Sequence, residues 1–421
     1  MAEHATAPTG SLAGVRVVEI GAFMAAPFAT MQLADLGADV IKVENRDGGD
    51  PVRATGPFLE GHSSPFIRLN RNKRSLALDL KADAGKDVLR RLLADTDVLV
   101  QNLRPGTLAR LGFGYDAVRA INPRLVYVSA SGWGLDGPLA DLPGLDIMAQ
   151  ARSGLMSVTG EPDGGPVKVG VPICDLVCGL YGALGAVAAL RARELTGEGQ
   201  HVDVSLYEAG VSFAIWEAGR FFATGEPGER LGSAHQSTAP YQAVRTADGW
   251  ITVGAVTART WPAFCGALGL DAIRDDPRYG SAFDRQANRD SLIPAIEEVT
   301  AARTTADLVA TLDAAGVPCA PLATTDEVFT DEHLTVRDFF WDAPHPVLGP
   351  VRQLGSPVRL SATPTTRRAA GPLLGGDSAD VLAEIGYEPA QVDELVRGAV
   401  VGVPGEEPAD GDTTPPLPDP L

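Results

Sequence analysis

Asp175 heads GVPICDLVCGLYGALGAVAAL (170–190), a run otherwise built of apolar and small residues. A charge entering an apolar interior must be paired or hydrogen-bonded, since even an uncharged polar group left alone there costs about 2–7 kcal/mol. One reading makes Asp175 a helix N-cap that accepts bonds from the free N–H groups of the first turn, worth about 1 kcal/mol. The other makes it a catalytic carboxylate. In open α/β proteins sites form where core helices begin, at the carboxyl ends of the strands. The residues behind it predict a buried helix over 176–194. Cys178, Gly179, Gly182, Ala183, Gly185, Ala186 and Ala189 allow close approach of another backbone, and Leu180, Leu184, Val187 and Leu190 form a wider apolar stripe.

A second set of candidates is cationic. NRNKRS (70–75) is the densest basic cluster, either a solvated turn before a strand or part of an anion site. NLRPGTLARLG places Arg104 and Arg110 beyond the strand DVLVQN, and Arg46 follows the strand ADVIKVE, so these cations are expected on one rim, as a phosphate-rich ligand requires. Glu44 stands where a dinucleotide-binding fold carries its ribose-binding acid. The turn Gly21-Ala22-Phe23-Met24-Ala25-Ala26, however, lacks the glycines that let a backbone approach a pyrophosphate, and no P-loop occurs. Four cysteines (Cys174, Cys178, Cys265, Cys319) without partners at zinc spacing read as buried thiols, so no metal is expected.

The elements that must position these groups alternate. VRVVEI, ADVIKVE, RSLALDLK, DVLVQN, RLVYVSASG and HVDVSL read as strands, separated by the helical spacings of APFATMQLADLG, AGKDVLRRLLADT, GTLARLG, YDAVRAIN and 176–194. Such alternation predicts an α/β fold, a mostly parallel sheet with helices on both faces. From about 225 the texture changes: the loop GEPGERLGSAHQSTAP, the strand GWITVGAV and three helical stretches predict a smaller, helix-rich α+β domain over 225–330. Residues 13–215 and 335–400 are assigned to the large domain. Residues 1–12 and 402–421, small, Pro-rich and acidic, are expected to be disordered tails.

A chain of 421 residues exceeds a usual single core, and 45% hydrophobic with 21% charged residues is a globular composition. The net charge of −19 disfavours nucleic acid and anionic membrane surfaces. The N-terminus has no apolar leader and no apolar run reaches membrane length, which points to a cytoplasmic protein with no membrane partner.

Six stretches in order, GVRVVEIGAFMAAPFATMQLADLGADVIKVE, NRNKRSLALDLK, DVLVQNLRPGTLARLGFGYDAVRAINPRLVYVSASGWGLDGP, SGLMSVTGEPDGGPVKVGVPICDL, TGEGQHVDVSLYEA and GPLLGGDSADVLAEIGY, are similar to the class III CoA-transferase family. That family includes formyl-CoA transferase, carnitine CoA-transferase and, as a divergent branch, α-methylacyl-CoA racemase. The resemblance spans nearly the whole chain between the tails. It implies a large Rossmann-like open parallel-sheet domain, a small inserted domain, and an interlocked homodimer. It also implies coenzyme A and acyl-CoA as substrates with no tightly bound cofactor, and a carboxylic acid as acceptor.

By motif Asp175 is similar to the family's catalytic aspartate. Helix N–H groups would keep it ionised, ready to form a mixed anhydride and then an aspartyl-CoA thioester. The resemblance places CoA contacts on Met24 and Ala25, on Leu78, Asp79, Leu80 and Lys81, on Asn102, Leu103 and Arg104, and on Arg110. Asn45 stands where formyl-CoA transferase has an arginine, which Arg46 would replace one residue later. That enzyme's active-site glutamine and tyrosine fall on Met24 and Leu145, and LGSAHQSTAPYQ does not match its Gly-rich loop, so a larger or less polar acyl group than formyl or oxalyl is implied. Two alternatives stay open. A racemase would need the histidine of its Gly-His-Asp stretch, here Gly144-Leu145-Asp146, and a noncatalytic CoA-binding homologue would need Asp175 to be a cap alone. His235 in the loop before the small domain is either exposed or within reach of substrate.

Overall fold

The computed structural model describes residues 10–405. They form two compact units. The first runs through Leu155, resumes over Val169–Ile215 and again from Leu334; the second comprises Met156–Lys168 and Trp216–His333.

The first unit is built on a seven-stranded sheet. In chain order its strands are β1 (Arg16–Ile20), β2 (Asp39–Asn45), β5 (Lys73–Leu78), β6 (Val98–Gln101), β7 (Val126–Ser131), β8 (His201–Ser205) and β14 (Val401–Gly402). The hairpin β3 (Phe58–Leu59) and β4 (His62–Ser63) lies between β2 and β5 in sequence. The spatial order is β14-β5-β2-β1-β6-β7-β8. All neighbours are parallel except β14, which runs antiparallel along β5 with Val401 opposite Leu78. Strand order reverses beside β1, the arrangement that opens a crevice at the carboxyl ends of the strands.

Alternation along each strand divides the core. Val17, Val40, Val98, Val100, Val126 and Val128 point to one face, where helices Ala25–Asp35 and Ile173–Thr196 pack. Val18, Ile41, Val43, Leu76, Leu99 and Tyr127 point to the other, covered by Val88, Leu89 and Leu92 of helix Asp83–Ala94 and by Val381 and Leu382 of helix Ser378–Glu384. Strands apolar on both faces are the mark of a sheet covered on both sides. The hairpin β12 (Phe340–His345) and β13 (Gly349–Leu354) completes this unit.

The second unit has its own core. Strands β9 (Tyr241–Arg245), β10 (Trp250–Gly254) and β11 (Cys319–Pro321) form an antiparallel sheet, order β11-β10-β9. Ile251 and Val253 pack on Phe264, Leu292, Ile296, Leu308 and Leu312 of three helices.

Several expectations are corrected. Of the tails, residues 1–9 and 406–421 lie outside the described residues, but the chain is ordered nearer the ends than composition suggested. Leu12 N–H donates to Leu36 O (2.9 Å), and Gly402 belongs to β14. The cluster NRNKRS is neither a solvated turn nor a ligand site. It enters β5 at the amino end, away from the carboxyl edge, and its charges are spent on structure. Arg71 forms a bidentate pair with Asp35 (3.0 and 2.6 Å), and Arg74 pairs with Asp39 and Glu384. Glu44 is buried against Arg53 and Ser75 (both 2.7 Å); burial would raise its carboxyl, but the guanidinium prevails and holds it at about 2. No apolar run was expected to reach membrane length, yet Ile173–Thr196, at 24 residues, is long and apolar enough by length and composition. In this fold it packs on helix Ala25–Asp35 and the sheet, and half of its apolar window is buried.

Candidate active site

The carboxyl end of β1 leads into Gly21–Met24, and three side chains, the half-buried Asn102 and the buried Lys42 and Asp50, fix this loop. Asn102, just past β6, accepts from Ala22 N–H (3.0 Å) and donates to Ala22 O (2.8 Å). Lys42 Nζ donates to Gly21 O (2.8 Å) while paired with Glu19 (2.6 Å) and Asp50 (2.9 Å), and Asp50 accepts from Phe23 N–H (3.3 Å). Gly21 must lack a side chain, because a Cβ there would lie 2.6 Å from Asn102 Oδ1. Phe23 has φ +60°, a left-handed conformation that costs a non-glycine residue about 1–2 kcal/mol and persists only where surrounding contacts impose it. The loop delivers Met24 as the N-cap residue of helix Ala25–Asp35 and Ala25 as its first residue.

At the carboxyl ends of β2 and β5 lies a cavity of about 260 Å³ lined by Asn45, Asp47, Leu78, Asp79, Leu80, Lys81, Thr107, Arg110 and Leu111. It gathers six of the expected CoA contacts: Asn45, Leu78, Asp79, Leu80, Lys81 and Arg110. Asp79 Oδ1 accepts from Lys81 N–H (2.8 Å), and Arg110 donates to Thr107 Oγ1 (3.0 Å). Two exposed cations, two carboxylates, a carboxamide and a leucine floor can hold the phosphates, ribose and base of a nucleotide. Asp47, Thr107 and Leu111 were not foreseen, although Thr107 and Leu111 share a short helical segment with Arg110.

The remaining expected contacts lie elsewhere. Arg46 pairs with Asp47 (2.7 Å) and lines a neighbouring cavity of about 390 Å³ with His62, Leu373 and Leu374, not the first one. Leu103 is buried, Arg104 is exposed, and Asn102 is engaged with the β1 loop. His235, in the second unit, is half-buried; its Nδ1 accepts from Ser237 N–H (3.2 Å) and its ring lies 5.1 Å from that of Tyr241.

Asp175 is not a cap. The helix begins at Ile173 after Pro172, so Asp175 is its third residue. The N–H groups of its first turn are claimed by Asp146, whose Oδ1 accepts from Cys174 N–H (2.9 Å) and Asp175 N–H (3.3 Å). Asp146 opens helix Asp146–Arg152, and its Oδ2 accepts from Gln150 (2.6 Å), a residue the sequence reading missed although it stands one helical turn away. Among the described residues none donates to the Asp175 carboxylate. Burial, and next the charge of Asp146, push its carboxyl up to about 7, so the expectation that helix N–H groups keep it ionised is overturned. Asp175 lines neither cavity. It lies partly exposed among segments that present Leu145, Ile147, Met148, Val171 and Leu180 to the surface; Leu145, 65% exposed, immediately precedes Asp146.

The placement of Asp175 is fixed by glycine. Gly179, one turn later, packs directly on Ala25, so two helix N-termini meet at the carboxyl edge of the sheet.

Residues 12–378 match the model of CoA-transferase family III. A succinate–glutarate CoA-transferase of Agrobacterium fabrum is 36% identical over 89% of this chain and 95% of its own length. A succinyl-CoA:mesaconate CoA-transferase of Haloarcula hispanica is 36% identical over 90% of this chain and 97% of its own. The crystal structure of a CAIB/BAIF family protein from Brucella suis superposes with a TM-score of 0.81 at 35% identity, covering 90% of this chain and all of that one. The chain is a CoA-transferase and belongs to CoA-transferase family III.

Proposed function

We propose that this enzyme moves coenzyme A from an acyl-CoA donor to a carboxylic acid acceptor with Asp175 as the nucleophile. The observation that carries the reading is a carboxylate at the carboxyl edge of the sheet whose oxygens, among the described residues, no donor engages. A carboxylate oxygen attacks the thioester carbonyl, expelling CoA thiolate and leaving a mixed anhydride on Asp175. The thiolate then attacks the aspartyl carbonyl, which releases the donor acid as its carboxylate and leaves an aspartyl-CoA thioester. The acceptor carboxylate repeats both steps in reverse. Each covalent step retains the free energy of the thioester, which hydrolysis would lose.

Lys81 and Arg110 hold the phosphates of CoA, and Asp79 and Asn45 its sugar and base. The names of two relatives favour dicarboxylates of the succinate, glutarate and mesaconate kind, and apolar Leu145 favours an acyl group larger than formyl. Water must be excluded from the anhydride. A second copy of the chain would do this by covering the apolar side chains exposed around Asp175 and along its helix, Leu180 and Leu184 among them. A mass-resolved screen of acyl-CoA donors against mono- and dicarboxylic acids tests the reading. Exchange of intact CoA onto a dicarboxylate is expected; hydrolysis of the donor without exchange would contradict it.

A further inference from the structure

Two carboxylates stand at the first turn of helix Ile173–Thr196, and one of them takes the donors. Asp146 accepts both Cys174 N–H and Asp175 N–H on Oδ1, and Gln150 Nε2 on Oδ2. Gln150 is fully buried, and its Oε1 accepts from Val169 N–H (2.9 Å). Turning the amide over would set its oxygen against Asp146 Oδ2 and its nitrogen against Val169 N–H, so it stays as it is and fixes the rotamer of Asp146.

We propose that Asp146, held by Gln150, is a positioning residue that withholds the helix donors from Asp175 and keeps a like charge beside it, so that the nucleophile remains basic and reactive. This rests on the reading of Asp175 as nucleophile. A carboxylate that accepted those N–H bonds would be stabilised as the anion, and a less basic oxygen is a weaker nucleophile.

The surroundings leave Asp146 as the charge that acts on Asp175. On its own helix Cys174 and Cys178 are thiols that burial pushes up, so they are neutral. The first turn of helix Ala25–Asp35 carries no acidic residue. Asp203 of β8 and Glu208 of helix Leu206–Val211 face Cys178, and Glu208 is engaged by Ser205 (2.5 Å). Among the described residues no cation acts on Asp175, whose carboxyl burial and Asp146 together raise.

Asp146→Asn removes the charge and keeps an oxygen for Cys174 N–H. The titration of Asp175 is read by infrared spectroscopy on protein labelled with ¹³C-aspartate, its band assigned by its loss in Asp175→Asn. The rate of CoA-adduct formation from succinyl-CoA is read by quench and mass spectrometry. The midpoint should fall by about one pH unit, making the ionised fraction about tenfold larger on the acid side. Adduct formation should then be faster than wild type near pH 5 and about threefold slower near pH 9, so that the two profiles cross. Asp146→Glu, which keeps the charge, should keep the wild-type midpoint. If Asp146→Asn does not fold, Asp146→Ser carries the same expectation. An unmoved midpoint in a folded neutral variant, or a profile lowered uniformly at every pH, overturns the proposal while leaving the nucleophile in place. A midpoint that moves, with no adduct even in wild type, removes the nucleophile reading and the proposal with it.

Discussion

Gly179 lies against the carbonyl of Ala25: a Cβ added to Gly179 would come within 2.7 Å of Ala25 O and 3.2 Å of Ala29 N. Both neighbours are backbone, so neither yields to a rotamer change. Gly179→Ala should push helix Ile173–Thr196 off helix Ala25–Asp35 and destabilise by about 1–3 kcal/mol, the range of core overpacking. Gly266→Ala, in helix Thr260–Leu268 with nothing within 4 Å of the new methyl, should instead stabilise by about 0.4–1 kcal/mol. Urea unfolding monitored by circular dichroism measures both. Equal effects would mean that the close helix contact is not what Gly179 provides.

Asp175→Asn should change stability in a pH-dependent way, with a sign opposite to that of a lost cap. With its carboxyl pushed up to about 7, folded Asp175 holds a proton that the unfolded chain releases near pH 4. Its contribution to stability therefore falls as pH rises from about 4 to about 7, and above that window the charged form is a cost to the fold. Asparagine removes that cost. The variant should melt at nearly the wild-type temperature near pH 4 and above it near pH 8 in scanning calorimetry. A lower melting temperature near pH 8 would restore the capping role.

Lys42→Met should be among the most damaging single changes in the first unit. Lys42 is fully buried between Glu19 and Asp50 and also carries the carbonyl of Gly21. Burial alone would raise the Glu19 carboxyl, yet Lys42 and Lys73 keep it below its ordinary value. Removing Lys42 leaves buried carboxylates short of a partner, a loss of about 3–5 kcal/mol. It also frees the loop that sets Phe23 and Met24. Soluble yield and urea midpoint should both drop, while Lys86→Met, whose partner Asp83 is exposed, should leave them unchanged.

The parallel strands were legible because their apolar runs are short, β-branched and separated by helical spacing. VRVVEI, ADVIKVE and RLVYVSASG became β1, β2 and β7 within a residue or two at each end. The cavity residues 78–81 and Arg110 were legible through the family resemblance, which carries order along the chain. Geometry among side chains was not legible in the same way. Nothing local to NRNKRS shows that Asp35, Asp39 and Glu384 neutralise it, since those partners come from distant segments. Asp175 looked like a cap because an acid before a helix usually is one. That Asp146 reaches the same N–H groups from 28 residues away is a fact of tertiary packing. Helix Asp146–Arg152 is short enough to have escaped periodicity, and Gln150 with it.

The proposed transfer turns on a covalent bond at Asp175. Wild-type enzyme incubated with succinyl-CoA alone, quenched and digested, should yield the peptide containing Asp175 with CoA attached by a hydroxylamine-sensitive bond. Asp175→Asn, checked by mass for deamidation, should yield neither that adduct nor turnover. A CoA adduct on another peptide, or exchange by intact Asp175→Asn at near the wild-type rate, would contradict the account.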